Sequence, residues 1–168
     1  MLYCTLEIRL LCFSNAQRSF CMPKEHLNSS SQKAGAWAII HCIETDKFLL
    51  GKRSASVNNG GAWNFFGGRL DHGEEPCRAL MRELAEEAGL RIKQKQLIKL
   101  SHLAGTRSRG THIREMHYYL LTVDREVVPR LNREHSSFRW FKRHSLPARF
   151  NRPTTVAIKQ GLLNKVKA

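Results

Sequence analysis

Three carboxylates fall close together in the chain: Glu83, Glu86 and Glu87. On a helical wheel at about 100° per residue, with Glu83 as zero, Glu87 comes near 40° and Glu86 near 300°. Leu80, Leu84, Cys77, Ala88 and Met81 then fall between roughly 60° and 160°. One face gathers the acids, and the adjoining stripe is apolar and suited to lie on a sheet. Glu83 and Glu87 are i, i+4 neighbours, and like charges at that spacing cost about 0.2–0.5 kcal/mol. A cation among them reverses the sign. Oxygen donors without His or thiolate suit a hard divalent ion, Mg²⁺ or Mn²⁺. Taken alone, such a cluster is more often a solvated acidic face.

The spacing around it is more specific. Gly68 is followed after five residues by Glu74, and after seven more by the run Arg82, Glu83, Leu84, Ala85, Glu86, Glu87, Ala88, Gly89, Leu90. This is G-x5-E-x7-R-E-U-x-E-E-x-G-U, with U aliphatic, at every defined position. Through this box and the strand order around it, the chain resembles the Nudix hydrolase family across about residues 34–165.

The resemblance implies hydrolysis of a diphosphate linkage in a nucleoside diphosphate derivative, with Mg²⁺ (or Mn²⁺) as cofactor. It implies that Glu83, Glu86 and Glu87 bind metal, and that Gly67 adds its carbonyl oxygen. Glu74 would pair with Arg82, and Arg82 would hold the carboxylates in place. Such chemistry needs ions to offset phosphate charge and acidify water, and a carboxylate to take the proton. Glu83 is one candidate base. Glu134, ahead of the Trp-bearing run 138–141, is a second, as metal ligand or base, and Glu115 is the next after it. Many family members read F-P-G-G before the box, whereas this chain has Phe65, Phe66, Gly67, Gly68. That loss of Pro is expected to loosen the loop only slightly.

Substrate contacts are expected from Trp63 and Asn64 just upstream of the box, and from Lys52 and Arg53 at the end of a strand. Arg107, Arg109 and Arg114 in the basic segment 106–114 are candidates for phosphate, because guanidinium forks match phosphate oxygens. The competing reading of that segment is a solvated hairpin tip. Tyr118 and Tyr119 alternate on a strand, so one faces the cleft and one the other side. The eight histidines show no metal-ligand spacing and read as scattered residues.

The elements that must position these groups follow from pattern. The apolar run 36–43 reads as a strand covered on both faces. Residues 47–53 form its hairpin partner, and 62–66 a short strand entering Gly67 and Gly68. Residues 69–75 read as a loop. Pro76 suits the first position of the box helix, and Gly89 stops it. Strands follow at 95–104, 113–123 and 138–141, then a helix at 154–165. This order predicts an α/β (α+β) fold, a Nudix-type α/β/α sandwich with a mixed sheet between helices. Residues 1–33 read as an N-terminal extension and 34–168 as the domain.

The 168 residues carry 28 Lys and Arg against 14 Asp and Glu, a formal net charge of +14. Residues 91–168 hold 18 of those bases against 4 acids, so the basic excess lies in the C-terminal half. That asymmetry points to an anionic partner, a nucleotide-like small molecule or RNA. Five cysteines, odd in number and without C-x-x-C spacing, argue against a disulfide framework and a zinc site. No apolar run of membrane-spanning length and no leader signature are read, so a cytoplasmic location is expected. Oligomeric state stays open, a homodimer included.

The lead reading is therefore a Mg²⁺-dependent pyrophosphohydrolase on a nucleoside triphosphate, a dinucleoside polyphosphate or another nucleoside diphosphate derivative. The alternatives are hydrolysis at an RNA 5′ end, and a non-catalytic module that binds nucleotide or nucleic acid.

Overall fold

The computed structural model describes residues 33–104 and 113–166. Seven strands form one mixed sheet. They are β1 (Lys33–Cys42), β2 (Lys47–Arg53), β3 (Trp63–Asn64), β4 (Gly67–Arg69), β5 (Leu97–Ala104), β6 (Ile113–Val123) and β7 (His135–Lys142). The main order is β3-β2-β1-β6-β5, with β4 pairing β1 and β7 pairing β2. β1 and β6 run parallel, with Ala36 opposite His117 and Ile40 opposite Leu121, and the other pairings are antiparallel. Helix α1 (Pro76–Ala88) and helix α2 (Arg152–Lys159) complete the layers.

Strand alternation sends β1 side chains into two separate cores. Ala36, Ala38 and Ile40 pack with Leu80, Leu84 and Ala88 of α1, together with Phe66, Tyr119 and Leu121. Trp37 and Ile39 pack on the other face with Phe48, Phe65, Tyr118 and Ala157 of α2. This is the expected α/β/α sandwich, and the near-continuous apolar run of β1 is explained by cover on both faces.

Boundaries differ from the sequence-based expectation at several elements. The stretch 62–66 is not one strand. It splits at Phe65 and Phe66, which enter opposite cores, and a separate strand, β4, runs from Gly67 to Arg69, the first residue of the expected loop. β7 starts at His135, well before residue 138, because it pairs with β2 through its polar first residues. The C-terminal helix starts earlier, with Asn151 as its N-cap accepting from the Thr154 N–H at 3.1 Å. It ends by Gly161, and a 3₁₀ turn, Leu162–Lys165, completes the second core. Among the described residues, no helix is long and apolar enough to cross a membrane.

Candidate active site

Helix α1 lies on the sheet through Leu80, Leu84 and Ala88, which aims its next face at β4. Two glycines let β4 pack closely on both sides. Gly67 has φ +131°, and a Cβ there would collide with the Ala36 carbonyl of β1. A Cβ at Gly68 would sit 2.5 Å from Glu83 Oε1. Only a residue without a side chain at position 68 admits the Glu83 carboxylate so close.

Glu87 is 3% exposed. The Gly67 N–H donates to its Oε2 at 2.8 Å. Burial pushes the Glu87 carboxyl up to about 8, against the Gly67 hydrogen bond, and the nearby Glu83 and Glu134 push the same way. Burial also raises Glu83, opposed by Arg82. A bound cation would reverse that shift by favouring the ionised form of these buried acids.

Arg82 organises the other side. Its Nε and Nη2 donate to the two oxygens of Glu74 at 3.1 and 3.0 Å, a two-pronged pair. Its Nη1 donates to Glu83 Oε1 at 2.9 Å, and Nη2 also reaches the Arg69 carbonyl at 3.1 Å. The hydrogen bonds from Arg82 hold Glu74 below the usual carboxylate range. Glu86 is half exposed, with Oε2 3.6 Å from Arg82 Nη1.

Glu83 and Glu87 open into a cavity of about 400 Å³, whose wall also includes Gly67, Gly68, Arg53 and Glu134. Arg53 Nη2 lies 3.4 Å from Glu134 Oε2, and its Nε donates to the Asn58 carbonyl at 2.8 Å. Acids and a base thus line one concave space, a layout fit to hold a cation and an anion together.

A family model, the NUDIX domain, matches residues 32–161. This chain belongs to that family. The Nudix chain is 36% identical over 76 residues to the CTP pyrophosphohydrolase of Escherichia coli (strain K12), covering 45% of this chain and 56% of the relative. It is 37% identical over 57 residues to the 8-oxo-dGTP diphosphatase of Proteus vulgaris, covering 34% and 51%. The matched stretch spans about half the length of these two relatives. Among solved structures, a MutT NUDIX hydrolase from Burkholderia pseudomallei superposes with a TM-score of 0.63 at 27% identity, covering 76% of this chain and 96% of that one.

The Nudix fold does not bring every expected contact to the cavity. Asn64 is fully buried, donates to the Phe65 carbonyl at 2.9 Å and lies 3.0 Å from His135 Nε2. It exposes no surface to the cavity here. Trp63 packs edge-on against Phe141 at 4.9 Å, with Lys52 Nζ 6.0 Å above its ring, and neither lines the cavity. Tyr118 and Tyr119 do face opposite ways, but both end in cores and neither in a cleft. Glu115 is engaged elsewhere, 3.5 and 3.6 Å from His102 and His117. Arg107 and Arg109 lie outside the described residues, and Arg114 stands on β6.

The cavity has wall residues that sequence reasoning passed over: Trp37, Asn58, Asn59, Arg69 and Asn151. Asn59 has φ +60°, and the Asn-Asn-Gly-Gly run was the available signal, since Asn and Gly are the residues that accept that conformation. Asn151 is the α2 N-cap, and the signal there was Asn two positions before Pro.

Proposed function

We propose that this protein is a divalent-metal-dependent pyrophosphohydrolase, acting on a nucleoside triphosphate, a dinucleoside polyphosphate or another nucleoside diphosphate derivative. The observation that carries this reading is the buried Glu87 beside Glu83 in a cavity that also presents Arg53. Buried acids with oxygen-only donors, against glycine backbone, fit Mg²⁺ or Mn²⁺ better than a soft ion. Glu83, Glu86, Glu87 and the Gly67 carbonyl are the groups that would hold it.

When bound, such an ion offsets phosphate charge and makes water more acidic. The protein's own groups do the rest. Glu83 accepts the proton of the attacking water, since its carboxyl is raised toward the working pH. Glu134, which lines the same cavity, is a further metal ligand or the alternative base. Arg82, fixed by Glu74, orients Glu83. Arg53 holds phosphate oxygens, with the fork geometry that suits them. The relatives named for CTP and 8-oxo-dGTP favour a nucleoside triphosphate as the substrate.

The test is a panel of CTP, 8-oxo-dGTP, other triphosphates, dinucleoside polyphosphates and 5′-triphosphate RNA, with and without Mg²⁺, scored for nucleotide and pyrophosphate products. Metal-dependent release of a nucleoside monophosphate supports the reading. Turnover of none of them leaves a binding module as the better account.

A further inference from the structure

We propose that His102, Glu115 and His117 form a second metal site, for Zn²⁺ or a similarly borderline-soft divalent ion, on the β5–β6 edge. The three come together by register. His102 on β5 is directly opposite His117 on β6, and Glu115 lies two positions before His117, on the same face. One ligand atom from each lies within 4.8 Å of the other two. None of the three lines the cavity that Glu83 and Glu87 share. Tyr119 and Leu121, at the same alternation, pack with the α1 core, so this trio sits on the α1 face of the sheet.

The distances favour a shared ion over simple pairing. Glu115 Oε2 is 3.5 Å from His102 Nε2 and 3.6 Å from His117 Nε2. Both are longer than a good N–H···O bond, at about 2.9–3.0 Å. Two donors each about 2.0–2.1 Å from a tetrahedral ion lie roughly 3.4 Å apart, close to both separations. Two imidazoles and one carboxylate are also the wrong donor set for Mg²⁺ and a suitable one for Zn²⁺, leaving a fourth position for water.

His117 is 7% exposed, so little water competes for its Nε2. Among the described residues, that nitrogen faces Glu115 Oε2 at 3.6 Å. The His102 and His117 rings stack at 4.4 Å with a 6° interplanar angle, so the rings must open for both lone pairs to converge. His102 is exposed enough, at 41% of its side chain, to make that turn. Bound metal would clamp edge strand β5 to β6. This site is independent of the hydrolase reading.

The test titrates Co²⁺ into the full chain in excess Mg²⁺, reading the visible absorption of tetrahedral cobalt. One equivalent is expected to saturate the band. His102→Ala, at an exposed position, and Glu115→Gln should each weaken binding by at least about tenfold. Glu87→Gln, in the Nudix box, should leave the band intact. A band that keeps its affinity in both His102→Ala and Glu115→Gln, or that disappears in Glu87→Gln, overturns the assignment.

Discussion

The Gly67 N–H donates to Glu87 Oε2 at 2.8 Å, across 20 residues of sequence. The bond ties the last turn of α1 to the strand that opens the box. On the proposed reading, the same buried carboxyl anchors the fold and holds the cation. A Glu87→Gln variant keeps an oxygen for that N–H while removing the ionisable group. Its turnover with Mg²⁺ should fall by at least about a hundredfold, with circular dichroism unchanged. Glu87→Ala should instead destabilise the chain by about 1–3 kcal/mol, because the buried N–H is left without an acceptor. Near-native activity in Glu87→Gln would remove Glu87 from the metal site.

The same group makes metal-free stability depend on pH. Its folded pKa is about 8, above the ordinary 4.5. The folded chain therefore keeps a proton that the unfolded chain has released. Its contribution is full below about pH 4.5 and is lost as pH rises toward 8. In chelator, wild type should lose Tm relative to Glu87→Gln between about pH 5 and pH 8. The expected gap is several degrees, given about 2–4 °C per kcal/mol for a chain of this size. Parallel curves for the two proteins would show that Glu87 ionises normally. Added Mg²⁺ should narrow the gap at the higher pH, since binding replaces the proton.

Gly67→Ala tests the close packing of β4 on β1 that positions the N–H bonded to Glu87. The substitution meets the Ala36 carbonyl and a φ that only glycine adopts without strain. A loss of at least about 2–3 kcal/mol is expected in denaturant unfolding. A stable Ala variant would mean that the backbone here can rotate away.

Arg82 donates to Glu83, so on the proposed reading it is a positioning residue. Arg82→Lys keeps the charge and loses the two-pronged pair with Glu74. We expect kcat to drop by about tenfold or more with KM nearly constant, since the substrate is held elsewhere. A change in KM alone would place Arg82 against substrate.

What could be read from the sequence was local or periodic. The apolar stripe of α1 and the two-faced cover of β1 follow from periods of 3.6 and 2, and both survive in the fold. The box spacing is local too, and it led to the family. Glu87 near 40° on the wheel looked like part of an exposed acidic face. Its burial is caused by β4, a strand that glycines make short and that no period announces. The His102–His117 pairing depends on a register that shifts between Lys99 and Ser101. No spacing along the chain encodes such a shift. The burial of Asn64 is hidden for a similar reason, since its partner His135 is 71 residues away.

That last pair makes a prediction about Asn64 itself. Its Oδ1 is 3.0 Å from His135 Nε2, and burial holds His135 down to about 4. His135 is therefore neutral at pH 7, and the bond runs from its Nε2–H to the Asn64 oxygen. The residue just before it is Glu134, on the cavity wall. Asn64→Leu removes the acceptor and leaves a buried N–H unpaired, at about 1–3 kcal/mol. The expected result is a lower denaturation midpoint with KM close to wild type. Asn64→Asp should be worse for stability at neutral pH, because it buries a charge beside a neutral imidazole. If Asn64→Leu instead raised KM tenfold at unchanged stability, Asn64 would be a substrate contact after all.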